Sequence, residues 1–233
     1  MSWEIINYLI FTLTLIYTSY WIVINLFLSS FGRKKPPITT VKNKKIQLLV
    51  LKKTGVNIKA IRISESSHPF GMMVGIPTKP QLVLSRGSYD TFPTDEMEYV
   101  IIHEAEHYVL RHGLIEFAAG LFLFIIGILL IGNSSLFNPI LSSFLGLIFG
   151  IFLIQLGKAH ELQADKFTVK RISNPNGMIK ATKKFRQYHG NKYSQNLNPI
   201  VQFLFYRANP YKNRIKMARN EIVSRTFARH NNP

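Results

Sequence analysis

Two long runs without charged residues dominate the hydropathy pattern of the chain. The first extends from Ile5 to Gly32 and contains 28 residues, more than the ~20 that a helix needs to cross a bilayer. The second extends from Phe117 to Gly157 and contains 41 residues, which suits two spans joined by a turn at 132–139. The pattern therefore predicts an N-terminal transmembrane anchor at residues 1–32 and a transmembrane helical hairpin at residues 114–157.

Each run has an alternative interpretation. A cleaved signal peptide would explain the first run, but the apolar stretch is too long and no basic region precedes it. A buried helical hairpin of a soluble protein would explain the second run. Leu, Ile, Phe and Gly dominate both of its halves without a polar face, so the membrane interpretation is favoured.

Shorter patterns between the two runs predict a small sheet followed by a helix. Residues 39–54 have apolar positions at helical spacing, with a strand at 46–51 as the alternative. Residues 57–64, 71–75 and 81–85 have the composition of strands. Thr94 is the predicted N-cap of the next helix, which is expected to continue to about Arg111.

These elements predict a mainly α membrane protein with a small β-sheet. Residues 33–113 and 158–233 are expected to form two cytoplasmic parts, one on each side of the hairpin in the sequence. The second part is basic and predicted to be helical, with a turn at 174–177.

The charge distribution indicates a membrane partner and an orientation. The chain has a net charge of +17 and a pI near 10.1, which favours either nucleic acid or an anionic membrane surface. Because the chain has membrane-type segments and no nucleic-acid-binding motif, an anionic lipid surface is expected and nucleic acid is not. Basic residues at 33–35, Arg111 and Lys158 flank the apolar runs, so the positive-inside rule predicts a multi-pass cell-membrane protein with its N-terminus outside.

The segment His103-Glu104-Ala105-Glu106-His107 carries the candidate chemistry. Histidines four residues apart lie on one face of a helix and can both bind one metal ion. Glu104 stands where it can take a proton from a metal-bound water, which is the H-E-x-x-H arrangement of peptide-bond hydrolysis. An exposed helix with incidental His and Glu is the alternative. The chain contains no cysteine, so the expected cofactor, one Zn²⁺ per chain, must use histidine and carboxylate ligands.

Glu161 and Asp165 follow the hairpin at a spacing of one helical turn. Hydrolytic zinc sites have three protein ligands and an open position, so Glu161 is the predicted third ligand. Asp165 is expected to accept a hydrogen bond from a ligating imidazole. Ordinary acidic residues at the start of a solvated helix are the alternative.

Four nearby residues are not expected to be ligands. Glu98 and Glu106 are predicted to be surface residues or neighbours of the site. His112 is predicted to lie on the wrong face of the helix to join the histidine pair, and His160 is predicted to be a neighbour of the site only.

The H-E-x-x-H helix, the hairpin and Glu161-x-x-x-Asp165 together resemble the HtpX and type I CAAX prenyl protease family of integral-membrane zinc metallopeptidases. The resemblance covers roughly residues 40–220. It implies a zincin-like metallopeptidase domain interrupted by a transmembrane hairpin. It also implies that His103, His107 and Glu161 bind zinc and that Glu104 is the catalytic base. Asp165 is then expected to contact one of the zinc ligands without binding the ion itself.

Two flanking stretches extend this resemblance. Phe70, Gly71, Met72 and Met73 match a segment that is expected to form an edge strand along the substrate. Residues 209–215 are similar to a late His-Pro…Arg-Ile stretch, with Asn209 where a histidine is common. Arg214 is therefore a candidate for stabilising developing negative charge, or for pairing with a carboxylate. The single N-terminal span departs from the family.

The leading functional hypothesis is a membrane zinc endopeptidase that acts on polypeptides, membrane proteins among them, at the cytoplasmic face. The resemblance implies a role in membrane protein quality control. The segment before Phe70 is also similar to the membrane metalloprotease domain of beta-lactam sensor-transducers. Alternatives are therefore a regulatory or signal-transducing protease that cleaves one partner, and a catalytically silent zinc-binding protein. The hypothesis of a nucleic-acid-binding protein is supported only by the positive net charge.

Overall fold

The described part of the protein is mainly helical and contains one small sheet. The computed structural model describes residues 37–75, 78–132, 139–189 and 211–231. The predicted anchor at 1–32, the basic residues 33–35, the hairpin turn at 133–138 and Asn209 lie outside the described residues.

The described elements alternate between strands and helices before the hairpin and are helical after it. In chain order they are β1 (Ile38–Val41), α1 (Lys44–Thr54), β2 (Ala60–Ser64), β3 (Gly71–Val74), β4 (Gln81–Ser85), α2 (Arg86–Thr91), α3 (Thr94–Val109), α4 (His112–Gly132), α5 (Pro139–Arg171), α6 (Pro175–His189) and α7 (Tyr211–Asn231). The predicted fold class, mainly α with a small sheet, is confirmed.

The sheet has the order β1-β2-β4-β3, with β2 and β4 parallel and the two outer pairs antiparallel. The central strand β4 is apolar at three consecutive positions, and all three side chains are buried because both faces of the strand are covered. Ile61 and Ile63 of β2 lie beside Leu82 and Leu84 of β4 in the hydrophobic core. Among the strands that the structure describes, this order leaves β3 at an edge of the sheet.

The first strand and the first helix of the described residues differ from the prediction. The helix predicted at 39–54 begins only at Lys44, and residues Ile38–Val41 form the strand β1. The Asn43 side chain explains the boundary, because it accepts a hydrogen bond from Ile46 N (3.2 Å) and caps the helix. The alternative strand at 46–51 was wrong, and β2 is shorter than the predicted 57–64.

The helix α3 is the central element of the fold. It packs against β3, α1, α5 and α6, and ten of its residues are buried. Thr94 is its first residue and not its N-cap, which is Pro93. The predicted end at Arg111 was two residues too late. Arg111 takes a positive φ of 55°, and α4 leaves at an angle of 45° to α3.

The helices α4 and α5 present apolar side chains to the outside. Phe122 of α4 is 63% exposed and Phe144 of α5 is 58% exposed, which a helix in the core of a soluble protein would avoid. Among the described helices, the segment Phe144–Arg171 of α5 is long and apolar enough to cross a membrane, and α3 with the first part of α4 qualifies only as a bent pair. With 33 residues, α5 is about 50 Å long, and it continues without a break from the apolar run into the polar residues beyond Gly157.

The helix α6 packs closely against the start of α3. The turn predicted at 174–177 is instead the start of this helix, with Asn174 accepting a hydrogen bond from Asn176 N (3.0 Å) and Pro175 in the first helical position. Gly177 lies so close to α3 that a methyl group at this position would overlap the Asp95 carbonyl oxygen. The absence of a side chain therefore permits the contact between the two helices.

We expect Gly177→Ala to destabilise the protein. Overpacking against a backbone atom costs about 1–3 kcal/mol, which outweighs the ~1 kcal/mol that alanine contributes to helix propensity. The measurement is the midpoint of thermal unfolding in detergent. Gly113→Ala is the matched control, because open space surrounds that position in α4. An unfolding midpoint in Gly177→Ala as high as in the control would contradict the close contact.

Candidate metal centre

The helix α3 presents the two predicted histidine ligands on one face. His103 and His107 are one turn apart, and their Nε2 atoms are separated by 3.3 Å. The rings stand nearly perpendicular to each other, with centroids 4.9 Å apart. His103 is 7% exposed, and His107 is half-buried. Both nitrogen lone pairs can therefore point to the same position.

Glu161 of α5 reaches this position from the other side of the hairpin. Its Oε2 lies 3.6 Å from His103 Nε2, and its Oε1 lies 3.5 Å from His107 Nε2. Ligand atoms on a tetrahedral zinc with bonds of about 2.1 Å lie about 3.4 Å apart, which agrees with all three separations. The donor set of two imidazoles and one carboxylate is also one that zinc accepts. The structure thus brings the three predicted ligands together in a geometry that fits the ion.

Asp165 lies behind His103, one turn after Glu161. Its carboxylate is completely buried, and Oδ1 is 3.2 Å from His103 Nδ1. The hydroxyl of Tyr99 donates a hydrogen bond to the same oxygen at 3.2 Å. A carboxylate on the Nδ1 side of an imidazole favours the tautomer that leaves Nε2 free for a metal.

Arg214 of α7 joins the two carboxylates that follow the hairpin. Its Nε donates to Asp165 Oδ2 at 2.8 Å, and its Nη2 donates to Glu161 Oε2 at 2.9 Å. The structure therefore places this arginine in the carboxylate-pairing arrangement. These contacts orient Glu161 relative to the histidine pair, and they bring α7 into the site.

The charges around the histidine pair favour a cation. Burial lowers the pKa of His103, but the neighbouring Asp165 and Glu161 outweigh burial and raise the pKa to about 10. Burial opposes ionisation of Glu161, yet the contacts with His103 and Arg214 hold its pKa near 2. The two carboxylates therefore favour positive charge at the histidine pair. A divalent ion can supply that charge in place of a proton, because metal binding releases protons from its ligands.

Glu104 is half-buried beside the histidine pair. Loss of hydration raises its pKa to about 7, although the positive charge of His103 acts in the opposite direction. A carboxylate with a pKa near neutrality can both accept and donate a proton. It also lies against the edge strand: a methyl group at Gly71 would stand 3.2 Å from Glu104 Cγ and 2.8 Å from Val100 Cγ1.

The predicted substrate segment lies at this edge of the sheet. Gly71, Met72 and Met73 belong to β3, which among the described strands pairs only with β4, and Phe70 precedes it. Ser85 fixes the start of the strand, because its N–H donates to Phe70 O and its hydroxyl accepts from Phe70 N, both at 3.0 Å. Met72 is 44% exposed. The strand β3 therefore runs past Glu104, with Gly71 at the close approach.

Two histidines near the site have contacts that the sequence did not reveal. His112 Nδ1 lies 2.9 Å from His107 Nδ1, although the spacing of five residues predicted that it would lie on another face. The bend between α3 and α4 returns it to His107. His160 stacks on His112 with ring centroids 4.1 Å apart and contacts Glu116 at 2.9 Å, so it is a neighbour of the site, as predicted.

Glu98 and Glu106 are buried, and a surface location was wrong for both. Glu98 accepts hydrogen bonds from the Ser173 backbone and hydroxyl at 3.1 and 3.0 Å, which ties α3 to the end of α5. Glu106 is fully buried, and within the described ranges its oxygens have no hydrogen-bond partner. Burial raises its pKa to about 7, against the lowering effect of Arg171. The helix period alone did not reveal that α3 is covered on nearly all sides.

Comparisons with known proteins agree with this arrangement. The family model described as Peptidase family M48 matches residues 18–222. Among solved structures, the chain is similar to Ste24p of S. mikatae, with a TM-score of 0.60 and 18% sequence identity. The alignment covers 91% of this chain but 57% of that one, so the chain spans little more than half the length of the similar structure. No curated protein sequence matches at a significant level.

We expect Arg214→Ala to lower the stability of the metal-free protein. Removing one partner of a buried ion pair leaves an uncompensated charge on Asp165 and costs about 3–5 kcal/mol. The thermal unfolding midpoint measures the effect. Arg219→Ala, which removes an exposed arginine from the same helix, is the control and should change stability by less than about 0.5 kcal/mol. Equal midpoints for the two variants would contradict a structural role for the Arg214 contacts.

Proposed function

The chain belongs to peptidase family M48, a family of zinc metalloproteases, and from this premise we propose that it is a membrane-bound zinc endopeptidase. The observation that carries the proposal is the convergence of His103, His107 and Glu161 from the two sides of the hairpin. A site with two imidazoles, one carboxylate and an adjacent glutamate supports hydrolysis of a peptide bond.

In the proposed site, His103 and His107 bind zinc through Nε2 and Glu161 binds through its carboxylate. A bound zinc ion would supply Lewis acidity, polarising the scissile carbonyl and acidifying a water molecule. Asp165 holds His103 from behind, and Arg214 holds Glu161. These contacts support a positioning role for Arg214, because the arginine already donates to both carboxylates.

Glu104 is the proposed general base and general acid. It takes a proton from the attacking water and delivers it to the leaving amine nitrogen, so one carboxylate serves both halves of the reaction. The pKa near 7 supports this double use, since neither transfer is strongly uphill at neutral pH. The close approach of Gly71 in β3 to Glu104 supports this role, because the substrate is proposed to bind along that strand.

The substrate is proposed to bind as an extended strand along β3. Backbone hydrogen bonds to an edge strand recognise any polypeptide, and side-chain pockets add only part of the selectivity. Such binding supports a broad choice of unfolded or extended segments. The exposed Met72 is the side chain of this strand most open to a substrate.

The membrane location is proposed from the apolar surface of the hairpin helices. Exposed side chains such as Phe122, Leu129 and Phe144 would be stable in lipid and unstable in water. Glu161 follows Gly157 by four residues on the same helix, which places the site only about 6 Å along the axis from the uncharged run. The site would therefore act on bonds close to the membrane surface.

Orientation and biological role extend this proposal. The basic residues beside the hairpin support a cytoplasmic site, an external N-terminus and contact with anionic lipid headgroups. Membrane proteins, including damaged ones in quality control, are the proposed substrates. A regulatory protease would instead cleave one partner at one position, and a cleavage map over several unfolded membrane proteins separates the two roles.

We expect Glu104→Gln to retain zinc and to lose proteolysis by at least 10²-fold, because the base is removed while the ligands remain. We expect Glu161→Gln to lose both. Bound zinc is measured by elemental analysis of the purified full chain, and proteolysis is measured on an unfolded membrane protein. Full cleavage by Glu104→Gln, or full zinc content in Glu161→Gln, contradicts the assigned roles.

We expect Gly71→Ala to reduce proteolysis several-fold while zinc content stays unchanged. The added methyl group pushes on Val100 and Glu104, and so displaces the base without touching a ligand. Gly113→Ala, in open space, is the control and should retain full activity. If Gly71→Ala also retains full activity, the edge strand does not approach the base as closely as the contacts indicate.

A further inference from the structure

A buried histidine that is not a predicted ligand lies directly behind one of the ligating pair. His112, the first residue of α4, is 2% exposed, and its Nδ1 is 2.9 Å from Nδ1 of His107. Two ring nitrogens at this distance share one hydrogen, so one donates and the other accepts. The direction of this hydrogen bond decides which nitrogen of His107 has a free lone pair.

The other side of the His112 ring determines the direction. Its Nε2 lies 3.0 Å from Gln163 Oε1, and an amide oxygen can only accept a hydrogen bond. Nε2 of His112 therefore carries the hydrogen, and Nδ1 of the neutral ring has only a lone pair. His107 must then donate through Nδ1, which leaves its Nε2 unprotonated and directed towards His103 Nε2 and Glu161.

We propose that His112 is a positioning residue that holds His107 in its metal-binding tautomer. The inference rests on the proposed zinc site and adds to it a role for a residue outside the H-E-x-x-H segment. Each histidine ligand then has its own partner on the Nδ1 side. Asp165 contacts Nδ1 of His103, and His112 contacts Nδ1 of His107.

The base of the hairpin supports this arrangement. His160 of α5 stacks on the His112 ring almost in parallel, with an angle of 8° between the planes. Glu116 of α4 contacts His160 at 2.9 Å, and Gln163 of α5 contacts His112. The side chains that orient His107 thus come from both helices of the hairpin, so the metal centre includes the point where α4 and α5 meet.

A pair of substitutions at position 112 separates an acceptor role from a packing role. His112→Phe keeps the ring and its stacking on His160 but cannot accept a hydrogen bond. His112→Asn loses the ring but places an amide oxygen near the position of Nδ1. Removing a partner behind a metal ligand costs about 10–100-fold in metal affinity, so we expect this loss in His112→Phe and in His112→Ala. We expect His112→Asn to stay within about threefold of the parent.

Zinc affinity is measured by competition with a chromophoric chelator on the purified full chain. All proteins carry Glu104→Gln, so the measurement does not depend on proteolysis. If the parent does not bind zinc, the proposed function fails. If the parent binds zinc and His112→Phe binds it equally well, the proposed function stands and the role of His112 is overturned. A loss in His112→Asn as large as in His112→Ala also overturns the role.

Two further variants keep the test decisive. His68→Phe removes an exposed histidine outside this cluster, so it should retain the parent's zinc affinity. Gln163 is exposed, and Gln163→Leu leaves the buried rings in place. If thermal unfolding shows that the His112 variants do not fold, Gln163→Leu is the deciding variant. We expect it to weaken zinc binding in the same direction, and unchanged affinity overturns the proposal.

Discussion

Asp165 is a fully buried carboxylate, and the fold has to compensate its charge. An ionised group in a protein interior loses its hydration at a cost of several kcal/mol unless partners replace the water. Here the partners come from distant parts of the chain: His103 and Tyr99 from α3, and Arg214 from α7. Satisfying this one carboxylate aligns α3, α5 and α7, and the same alignment brings Glu161 to the histidine pair.

The helix α5 connects the apolar surface of the hairpin with the site. Because it is continuous from Pro139 to Arg171, the distance between Gly157 and Glu161 is fixed by the helix rise and cannot vary as a loop could. On the other side of the hairpin, the bend at Arg111 turns α4 away from α3 and brings His112 back against His107. Tilting either hairpin helix would therefore move side chains that contact the candidate metal ligands.

The site is locally negative in a strongly basic protein. The chain has a net charge of +17, yet Glu161 and Asp165 lie together beside the histidine pair, with Glu104 nearby. Arg214 compensates part of this charge, and the remainder favours a cation at the convergence of the two Nε2 atoms. The basic residues near the hairpin suit the proposed contact with a membrane surface, whereas the buried carboxylates suit the proposed metal site. Local placement, and not net charge, separates these two roles.

Much of the site followed from the sequence because short spacings within a helix are geometrically fixed. The four-residue interval between His103 and His107 places both rings on one face in any α-helix, and Glu161 and Asp165 obey the same rule. The strands β3 and β4 and the class of fold were likewise visible in local patterns. Only the tertiary structure decided how separate elements meet: the burial of Glu98 and Glu106, the pairing of Arg214 with two carboxylates and the return of His112 to His107. These features depend on helix crossings and on one bend, which are set by packing between residues distant in sequence, and a local pattern carries no information about such contacts.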